Sequence, residues 1–325
     1  MPLLTIADAL NLALHQEMQR DSRVMVLGED VGKDGGVFRI SDGLIEKYGE
    51  DRVVDTPLAE SGIVGTSIGL AMAGMRPVAE IQFDGFVYPA FDQLICHAAR
   101  MRNRSRGKFT CPMVVRFPYS GGVRALEHHS ESMEVLYIHT PGLKVVCPST
   151  PYDAKGLMIA AIRDPDPVIF MEPKRLYRSL KEDVPEEDYI VPLGQARVMI
   201  EGNDVTVVGW GSMIPIILKA QATLIKENIS LEVIDLRTLS PLDTETILAS
   251  VQKTGRCVVI HEAPRTCGLG AEISALLMEK ALFSLKAPVE RVTGFDVIPP
   301  LMKAEDYNLP DEKRLIAGIR KTLAS

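Results

Sequence analysis

Short runs of apolar and β-branched residues alternate with segments of helical periodicity over the first half of the chain. The predicted strands lie at 23–28, 76–83, 111–117, 143–148 and 167–172. The predicted helices between them lie at 59–74, 88–105, 130–139 and 150–164. Nearly continuous apolar strands separated by helices are typical of a parallel sheet that is covered on both faces.

The N-terminal segment predicts a helix that begins after Thr5. Thr5 and Asp8 have the spacing of a capping box, in which each side chain accepts a hydrogen bond from the main chain of the other. Apolar residues then recur on one helical face at Ile6, Ala9, Leu10, Ala13 and Leu14. No basic segment precedes this apolar part, so the segment does not have the pattern of a signal peptide.

The alternation breaks over 173–203, a stretch that is rich in charge and proline. It restarts with predicted strands at 204–210, 231–236, 256–262 and 289–295. We therefore predict two doubly wound α/β domains, of which the second is the smaller. The predicted division is a first domain at 1–185, a linker at 186–203 and a second domain at 204–325.

Composition and charge narrow the classes of function. With 46% hydrophobic and 24% charged residues, the 325-residue chain has the composition of a globular protein. The net charge of −7 and the scattered Lys and Arg argue against a nucleic-acid partner. The five cysteines form no CxxC pair, which indicates reduced thiols. No apolar run reaches the roughly 18 residues that cross a bilayer, so we expect a cytoplasmic protein without a membrane partner.

A glycine-containing stretch, CGLGAEISALL (267–277), raises the hypothesis of a dinucleotide-binding turn. Such a turn has its first glycine directly after a strand, so that a pyrophosphate meets the helix N-terminus. Here several residues separate the predicted strand from Gly268, and the third glycine is missing. The pattern therefore favours a glycine-bearing helix start, and a nucleotide-dependent oxidoreductase stays an alternative.

Two adjacent histidines lie among acids in the stretch EHHSESME (127–134). Zinc sites on helices usually use histidines at i and i+4, whereas adjacent histidines point apart. Exposed histidines near a helix start are the favoured interpretation. A catalytic histidine at a loop–helix junction stays open, because glycines precede the pair.

Glu60 lies at a predicted helix start within DTPLAESGIVG (55–65). An acid in the first turn interacts favourably with the helix dipole, and spacing alone favours this structural interpretation. The alternative is a carboxyl group that apolar neighbours keep protonated, so that it exchanges a proton with a bound heterocycle. The aromatic residues at 83–91 follow a predicted strand. Core packing explains most of them, although one could carry a ligand ring at that edge of a sheet.

Several long stretches together resemble one family. They are LGEDVGKDGGVF, DTPLAESGIVG, EIQF, HHSES, AIRDPDPVIFMEPKRLYR and VIDLRTLSPLD. Over nearly its whole length the chain resembles the β subunit of the thiamine-diphosphate-dependent 2-oxo acid dehydrogenases, the decarboxylating component of the pyruvate and branched-chain complexes. The resemblance implies an N-terminal domain with a parallel sheet of the pyrimidine-binding type. It also implies a smaller C-terminal α/β domain of the transketolase type.

The resemblance also implies partners and cofactors. Family members form α2β2 heterotetramers with the active site between an α and a β subunit, and the α subunit holds the diphosphate and Mg²⁺ through a GDG…NN motif. The stretches KDGG and SDGL of this chain lack that motif, as expected of a β subunit. The implied substrate is a 2-oxo acid, and the implied acceptor is the lipoyl group of the acyltransferase core. Several motifs favour branched-chain 2-oxo acids; a pyruvate enzyme and a non-catalytic scaffold subunit are the alternatives.

The resemblance assigns roles to five residues. Glu60 corresponds to the family's glutamate that hydrogen-bonds the aminopyrimidine ring of the cofactor and promotes its imino tautomer. Leu58 and Gln82 correspond to residues that line the same pocket, and Phe86 to the residue that packs on the pyrimidine. His129 corresponds to the active-site histidine that is linked to reductive acylation of the lipoyl group.

A structural potassium ion is also implied. The corresponding positions are Met113, Ala161, Ile162, Asp164 and Asp166, mostly through main-chain oxygens, which suit an alkali cation. The chain departs from the family at one of these positions and also beside the histidine. It has Asp166 where asparagine is usual, and HSE in place of HSQ, which puts an additional carboxylate, Glu131, near the histidine.

Overall fold

A parallel sheet forms the centre of the first of two units in the computed structural model, which describes residues 1–325. The strands in this unit are β1 (Leu3–Leu4), β2 (Val24–Gly28), β3 (Val53–Asp55), β4 (Arg76–Glu80), β5 (Val114–Tyr119), β6 (Lys144–Val146), β7 (Val168–Pro173) and β8 (Glu182–Asp183). Six of them form the central sheet in the order β6-β7-β5-β4-β2-β3, and every neighbouring pair is parallel. The short β1 and β8 pair with each other in antiparallel fashion.

Helices in this part of the chain follow the strands. They are α1 (Ile6–Arg20), α2 (Leu44–Tyr48), α3 (Glu60–Met72), α4 (Met101–Arg104), α5 (Glu134–Ile138) and α6 (Pro151–Arg163). The predicted capping box of α1 is present: the Thr5 hydroxyl accepts from the Asp8 N–H, and the Asp8 carboxylate accepts from the Thr5 N–H. The apolar faces of α1 and α6 share one core with the sheet. The predicted helices at 59–74 and 150–164 are therefore confirmed.

The prediction of one α-helix over 88–105 is wrong. The segment instead contains a 3₁₀ turn at Asp84–Ala90, a π-helical turn at Gln93–Ala98 and only one α-helical turn in α4. Pro89 lies inside the first turn, where it has no N–H to donate to a continuing helix. The helix predicted at 130–139 shrinks to α5, because the residues before it belong to an irregular loop.

The second unit has a mixed sheet of five strands. The strands in this part of the chain are β9 (Arg197–Ile200), β10 (Val205–Gly209), β11 (Leu231–Asp235), β12 (Thr238–Ser240), β13 (Cys257–His261) and β14 (Glu290–Thr293), and all but β12 belong to that sheet. Its helices are α7 (Ile214–Leu224), α8 (Thr244–Thr254), α9 (Leu269–Lys280), α10 (Glu305–Asn308) and α11 (Glu312–Leu323). The sheet order is β14-β13-β10-β11-β9, in which only β9 is antiparallel to its neighbour. Apolar residues from α7 and α11 pack with this sheet in a second core.

The two units divide the chain at more than one point. The first contains Met1–Tyr119 and Leu136–Leu193, and the second contains Ser120–Val135 and Gly194–Ser325. The predicted boundaries of 1–185 and 204–325 stay a prediction, but they place the excursion at Ser120–Val135 in the first domain, whereas it belongs to the second unit. This excursion is an irregular loop, so no change of periodicity marks it in the sequence. No helix in the structure is long and apolar enough to cross a membrane.

A buried ionic network crosses three neighbouring strands of the first unit. Arg116 on β5 donates to Glu80 at the end of β4, and it donates to Glu172 on β7 at 2.6 and 2.7 Å. Tyr177 donates its hydroxyl to the same Glu172 at 2.5 Å. Burial alone would lower the pKa of Arg116, but the carboxylates of Glu172 and Glu80 raise it on balance. One cation thus compensates two acids in the core.

Candidate functional site

Three adjacent strands of the first unit end at one edge of its sheet. Because β3, β2 and β4 are neighbours and parallel, their carboxyl ends lie together, at the edge where α/β sheets bind ligands. Glu29 follows β2 directly, Gln82 lies just beyond β4, and Glu60 begins α3 after β3. The fold therefore brings together at this edge residues that lie far apart in sequence.

Glu60 is the first residue of α3 and is half-buried. Ala59 before it provides no side-chain cap, and the hydroxyl of Ser61 donates to the Pro89 carbonyl, which ties the helix start to the 3₁₀ turn. Leu58 is 78% exposed, and Ala59 is exposed as well. The expectation that apolar neighbours enclose Glu60 is therefore wrong for this chain alone, since these side chains point outward.

A second carboxyl group, Glu29, lies close enough to interact with Glu60. Burial raises the pKa of Glu29, and the negative charges of Glu60 and Asp30 raise it further. Asp30, in a left-handed backbone conformation with φ 58°, accepts a hydrogen bond from Gln82 at 3.2 Å. The sequence analysis did not identify Glu29. Its signal was its place directly after the apolar strand VMVLG.

Aromatic rings line the turn beside this cluster. Phe86 lies in the 3₁₀ turn and meets Phe83 edge to face, with ring centroids 5.6 Å apart. Phe83 in turn meets Phe38 at 5.7 Å. Phe86 is half-buried, so part of its surface remains accessible at the end of this aromatic row. Phe38 packs against the buried core, and Phe83 is half-buried as well.

Carboxyl, amide and aromatic groups together fit an aminopyrimidine. Its ring nitrogens and exocyclic amine need partners that accept and donate hydrogen bonds, which Glu60 and Gln82 can provide. Its faces need an aromatic or apolar contact, which Phe86 and Leu58 can provide. The chemical types of these side chains therefore fit the aminopyrimidine half of thiamine diphosphate.

The histidine segment lies in an irregular loop of the second unit. Nδ1 of the half-buried His129 lies 2.7 Å from the Glu127 carbonyl oxygen. Because a carbonyl only accepts, Nδ1 carries the hydrogen, and Nε2 is the basic nitrogen of the neutral ring. His128 is 51% exposed, and its Nδ1 lies 3.6 Å from the carboxylate of Glu131. The additional carboxylate of this chain thus lies beside His128.

A cavity of about 460 Å³ adjoins this loop within the second unit. Its lining includes the acidic residues Glu131, Glu262 and Asp296 and the apolar residues Phe295 and Ile298. His128 is part of the lining, and His129 is not.

Two family profiles match the chain. The transketolase pyrimidine-binding domain matches residues 3–179, and the transketolase C-terminal domain matches residues 194–315. The β subunit of the pyruvate dehydrogenase E1 component from Acholeplasma laidlawii is 55% identical over 321 residues, which cover 99% of this chain and 98% of the relative. The corresponding subunit from Bacillus subtilis is 50% identical over 323 residues, 99% of each chain.

The chain belongs to the β-subunit family of the thiamine-diphosphate-dependent 2-oxo acid dehydrogenases. A solved structure described as a split-gene transketolase, an inactive beta4 tetramer, has the same fold. It matches with a TM-score of 0.81 and 25% identity over 99% of this chain and 98% of that one. The predicted family and the predicted pair of α/β domains, with an N-terminal parallel sheet, are confirmed.

The predicted potassium positions lie around the end of α6, and each already has contacts. They are Met113, Ala161, Ile162, Asp164 and Asp166. Arg76 donates to the main-chain oxygens of Ile162 and Asp164 at 2.7 and 3.3 Å. Lys144 pairs with the Asp164 carboxylate at 2.6 Å, and Arg102 pairs with Asp166 at 2.8 Å. A carbonyl oxygen that accepts one hydrogen bond keeps a second lone pair, so these oxygens are still of the type that binds an alkali cation. Potassium stays a prediction.

The glycines of CGLGAEI make room for a buried histidine. A Cβ atom on Gly268 would lie 2.7 Å from the ring of His261, and one on Gly270 would lie 2.9 Å from it. The His261 ring stacks on Trp210 with centroids 5.4 Å apart and is fully buried. Gly268 is well separated from the end of β13, so packing around His261 explains these glycines.

Acid is expected to destabilise the fold through His261. Burial lowers its pKa from 6.5 to about 4, so the folded state favours the neutral ring. Below pH 6.5 the unfolded chain takes up a proton that the folded chain refuses, and stability falls until pH reaches about 4. The shift corresponds to about 3 kcal/mol. The free energy of unfolding is measured in urea at pH 7 and pH 4. Between these pH values it should fall by about 3 kcal/mol less in His261→Gln than in the unaltered chain.

The control for this experiment is His139→Gln, which replaces an exposed histidine. It should retain the pH dependence of the unaltered chain. An equally steep loss of unfolding free energy in His261→Gln would contradict the role of the buried ring.

Proposed function

We propose that this chain is the β subunit of a pyruvate dehydrogenase and that it acts only with an α subunit, as an α2β2 heterotetramer. The observation that supports pyruvate is the identity of 50 to 55% over 99% of the chain with two relatives that bear this name. The branched-chain preference that several motifs favoured stays a prediction, and it is the alternative for the same site.

Glu60, Gln82, Phe86 and Leu58 would hold the aminopyrimidine half of thiamine diphosphate. When bound, that cofactor supplies a carbon nucleophile and an electron sink for loss of CO₂. The carboxyl group of Glu60 would hold and exchange a proton at a pyrimidine ring nitrogen. Gln82, hydrogen-bonded to Asp30, would orient the ring, and Phe86 would contact its face. The diphosphate and Mg²⁺ would lie with the α subunit, since this chain lacks GDG…NN.

The open side of this edge supports completion by another chain. Leu58 is 78% exposed beside Glu60, and a partner that covers it would remove water from the carboxyl group. The α subunit is the partner that would supply this cover together with the diphosphate half of the site. The same partner would thus complete the site and exclude water from Glu60.

His129 would act in the transfer of the acyl group to the lipoyl group of the acyltransferase core. Its Nδ1–H is held by the Glu127 carbonyl at 2.7 Å, which orients the ring. Transfer of the acyl group to one lipoyl sulfur breaks the S–S bond, and Nε2 would carry a proton and donate it to the sulfur that is released.

A substrate panel tests the proposal. The chain is reconstituted with its α subunit, thiamine diphosphate and Mg²⁺, and decarboxylation of pyruvate is compared with that of 3-methyl-2-oxobutanoate. We expect kcat/KM to favour pyruvate by about 10- to 100-fold, the discrimination that a pocket achieves against additional methyl groups. A preference for the branched substrate would establish the alternative. A complex that binds no thiamine diphosphate at millimolar concentration would indicate a scaffold subunit.

A further inference from the structure

The loop that carries the histidines closes on itself and contains unfavourable backbone conformations. The Ser120 N–H donates to the Glu131 carbonyl at 2.8 Å and joins the two ends of the loop. Ser120, Arg124 and His128 have φ values of 81°, 53° and 64°, in the left-handed region. Residues other than glycine keep such conformations only where their surroundings enforce them. Contacts from elsewhere in the second unit must therefore hold this loop.

Glu262 provides the first of these contacts. It follows β13 and is buried, and its Oε2 accepts the Gly121 N–H at 2.9 Å and the Ser132 hydroxyl at 3.4 Å. One carboxylate oxygen thus contacts both ends of the loop. Because an irregular loop has no strand or helix partners for its N–H groups, a buried carboxylate is a strong substitute acceptor.

Glu305 provides the second contact. It begins α10 and is 2% exposed, and its Oε2 accepts the Arg124 N–H at 2.8 Å. Its Oε1 lies 2.8 Å from the place that a Cβ atom on Gly121 would occupy, so a larger residue there would have to displace this carboxylate. The carboxylate thereby fixes the main chain at Arg124, where the backbone is left-handed.

We infer that Glu262 and Glu305 are positioning residues for His129. They hold the main chain of the loop at Gly121 and Arg124, and the loop then places the imidazole for acyl transfer. Neither carboxylate needs to touch the substrate. This inference rests on the role proposed for His129, although the anchoring of the loop can be tested separately.

The variants Glu262→Ala and Glu305→Ala remove the acceptors, and the corresponding glutamine variants keep an oxygen that accepts the same N–H groups. All are measured in the complex reconstituted with the α subunit and the cofactors. Amide hydrogen exchange of peptides spanning 120–132 should accelerate at least tenfold in the alanine variants and stay near the unaltered rate in the glutamine variants. Asp306→Asn is the matched control. Asp306 pairs only with the exposed Arg124 side chain, at 2.7 Å, and its loss should leave exchange unchanged.

Turnover with two acceptors tests the positioning role. With a lipoylated domain as acceptor, the alanine variants should lose about 10- to 100-fold in turnover, the scale of effect that a small misplacement of a reacting group has. With ferricyanide as acceptor, where no lipoyl sulfur reacts, turnover should change less than about twofold. The glutamine variants should restore lipoyl-dependent turnover, which a role of the negative charge itself would not allow.

Unchanged hydrogen exchange in both alanine variants would overturn the inference, as would an equal loss with both acceptors. Glutamine variants as impaired as the alanine variants would overturn it too. His129→Ala separates the inference from the proposed function. If that variant shows no loss specific to the lipoyl acceptor, the role of His129 fails, while the exchange data still decide whether Glu262 and Glu305 anchor the loop.

Discussion

Replacing Glu60 by glutamine is expected to lower decarboxylation in the reconstituted complex by about 10²- to 10⁴-fold, the usual contribution of a positioned proton donor or acceptor. Glutamine has nearly the same shape and still hydrogen-bonds, but it cannot exchange a proton at the pyrimidine ring. The expected loss is in kcat. The rate is measured as CO₂ release from pyruvate at saturating thiamine diphosphate, and cofactor affinity is determined separately by calorimetry.

The control for this prediction is Glu50→Gln, an exposed acid away from the site, which should keep full activity. The fold should tolerate Glu60→Gln as well, because an acid in the first turn of a helix stabilises it by at most about 1 kcal/mol. If Glu60→Gln decarboxylates pyruvate as fast as the unaltered complex, the proton-exchange role is wrong.

Replacing Arg116 by methionine is expected to destabilise the protein by about 3–5 kcal/mol, the range observed when one partner of a buried ion pair is removed. The substitution leaves the carboxylates of Glu80 and Glu172 in the core without their shared cation. Burial already raises the pKa of Glu80 while Arg116 is present. The free energy of unfolding is measured in urea at pH 7, and the loss should shrink at lower pH as Glu80, whose pKa is raised, becomes protonated.

Two further variants sharpen this test. Arg320→Met removes an exposed ion pair, in which the guanidinium lies 2.6 Å from the Glu227 carboxylate. This change should lower the free energy of unfolding by at most about 1 kcal/mol. Adding Glu80→Gln and Glu172→Gln to Arg116→Met should recover much of the stability, because no buried charge is then left uncompensated. A loss below about 1 kcal/mol for Arg116→Met alone would show that the network contributes little to folding.

Local patterns were reliable where a single element satisfies its own hydrogen bonds. The capping box at Thr5 and Asp8 and the helix predicted at 59–74 are present in the structure. The pattern was misleading at 88–105, where helical periodicity continues across Pro89 but the main chain does not.

The candidate site was predictable in part. Glu60, Gln82 and Phe86 came from a resemblance, and the shared edge of β3, β2 and β4 explains why they belong together. Glu29 was missed, because its only signal, a place directly after an apolar strand, does not distinguish it from other acids that follow strands. The enclosure of Glu60 by its apolar neighbours is not present in this chain alone, because Leu58 is exposed.

By itself the sequence determined the alternation of strands and helices, the family, and the identity of the acid at the start of α3. These depend on periodicity and on long continuous motifs. Only the tertiary structure decided which groups hold the histidine loop and which acids share Arg116. The bond from Gly121 to Glu262 spans 141 positions, and the bond from Arg124 to Glu305 spans 181. Such contacts follow from the packing of sheets and loops, and no local period in the chain encodes them.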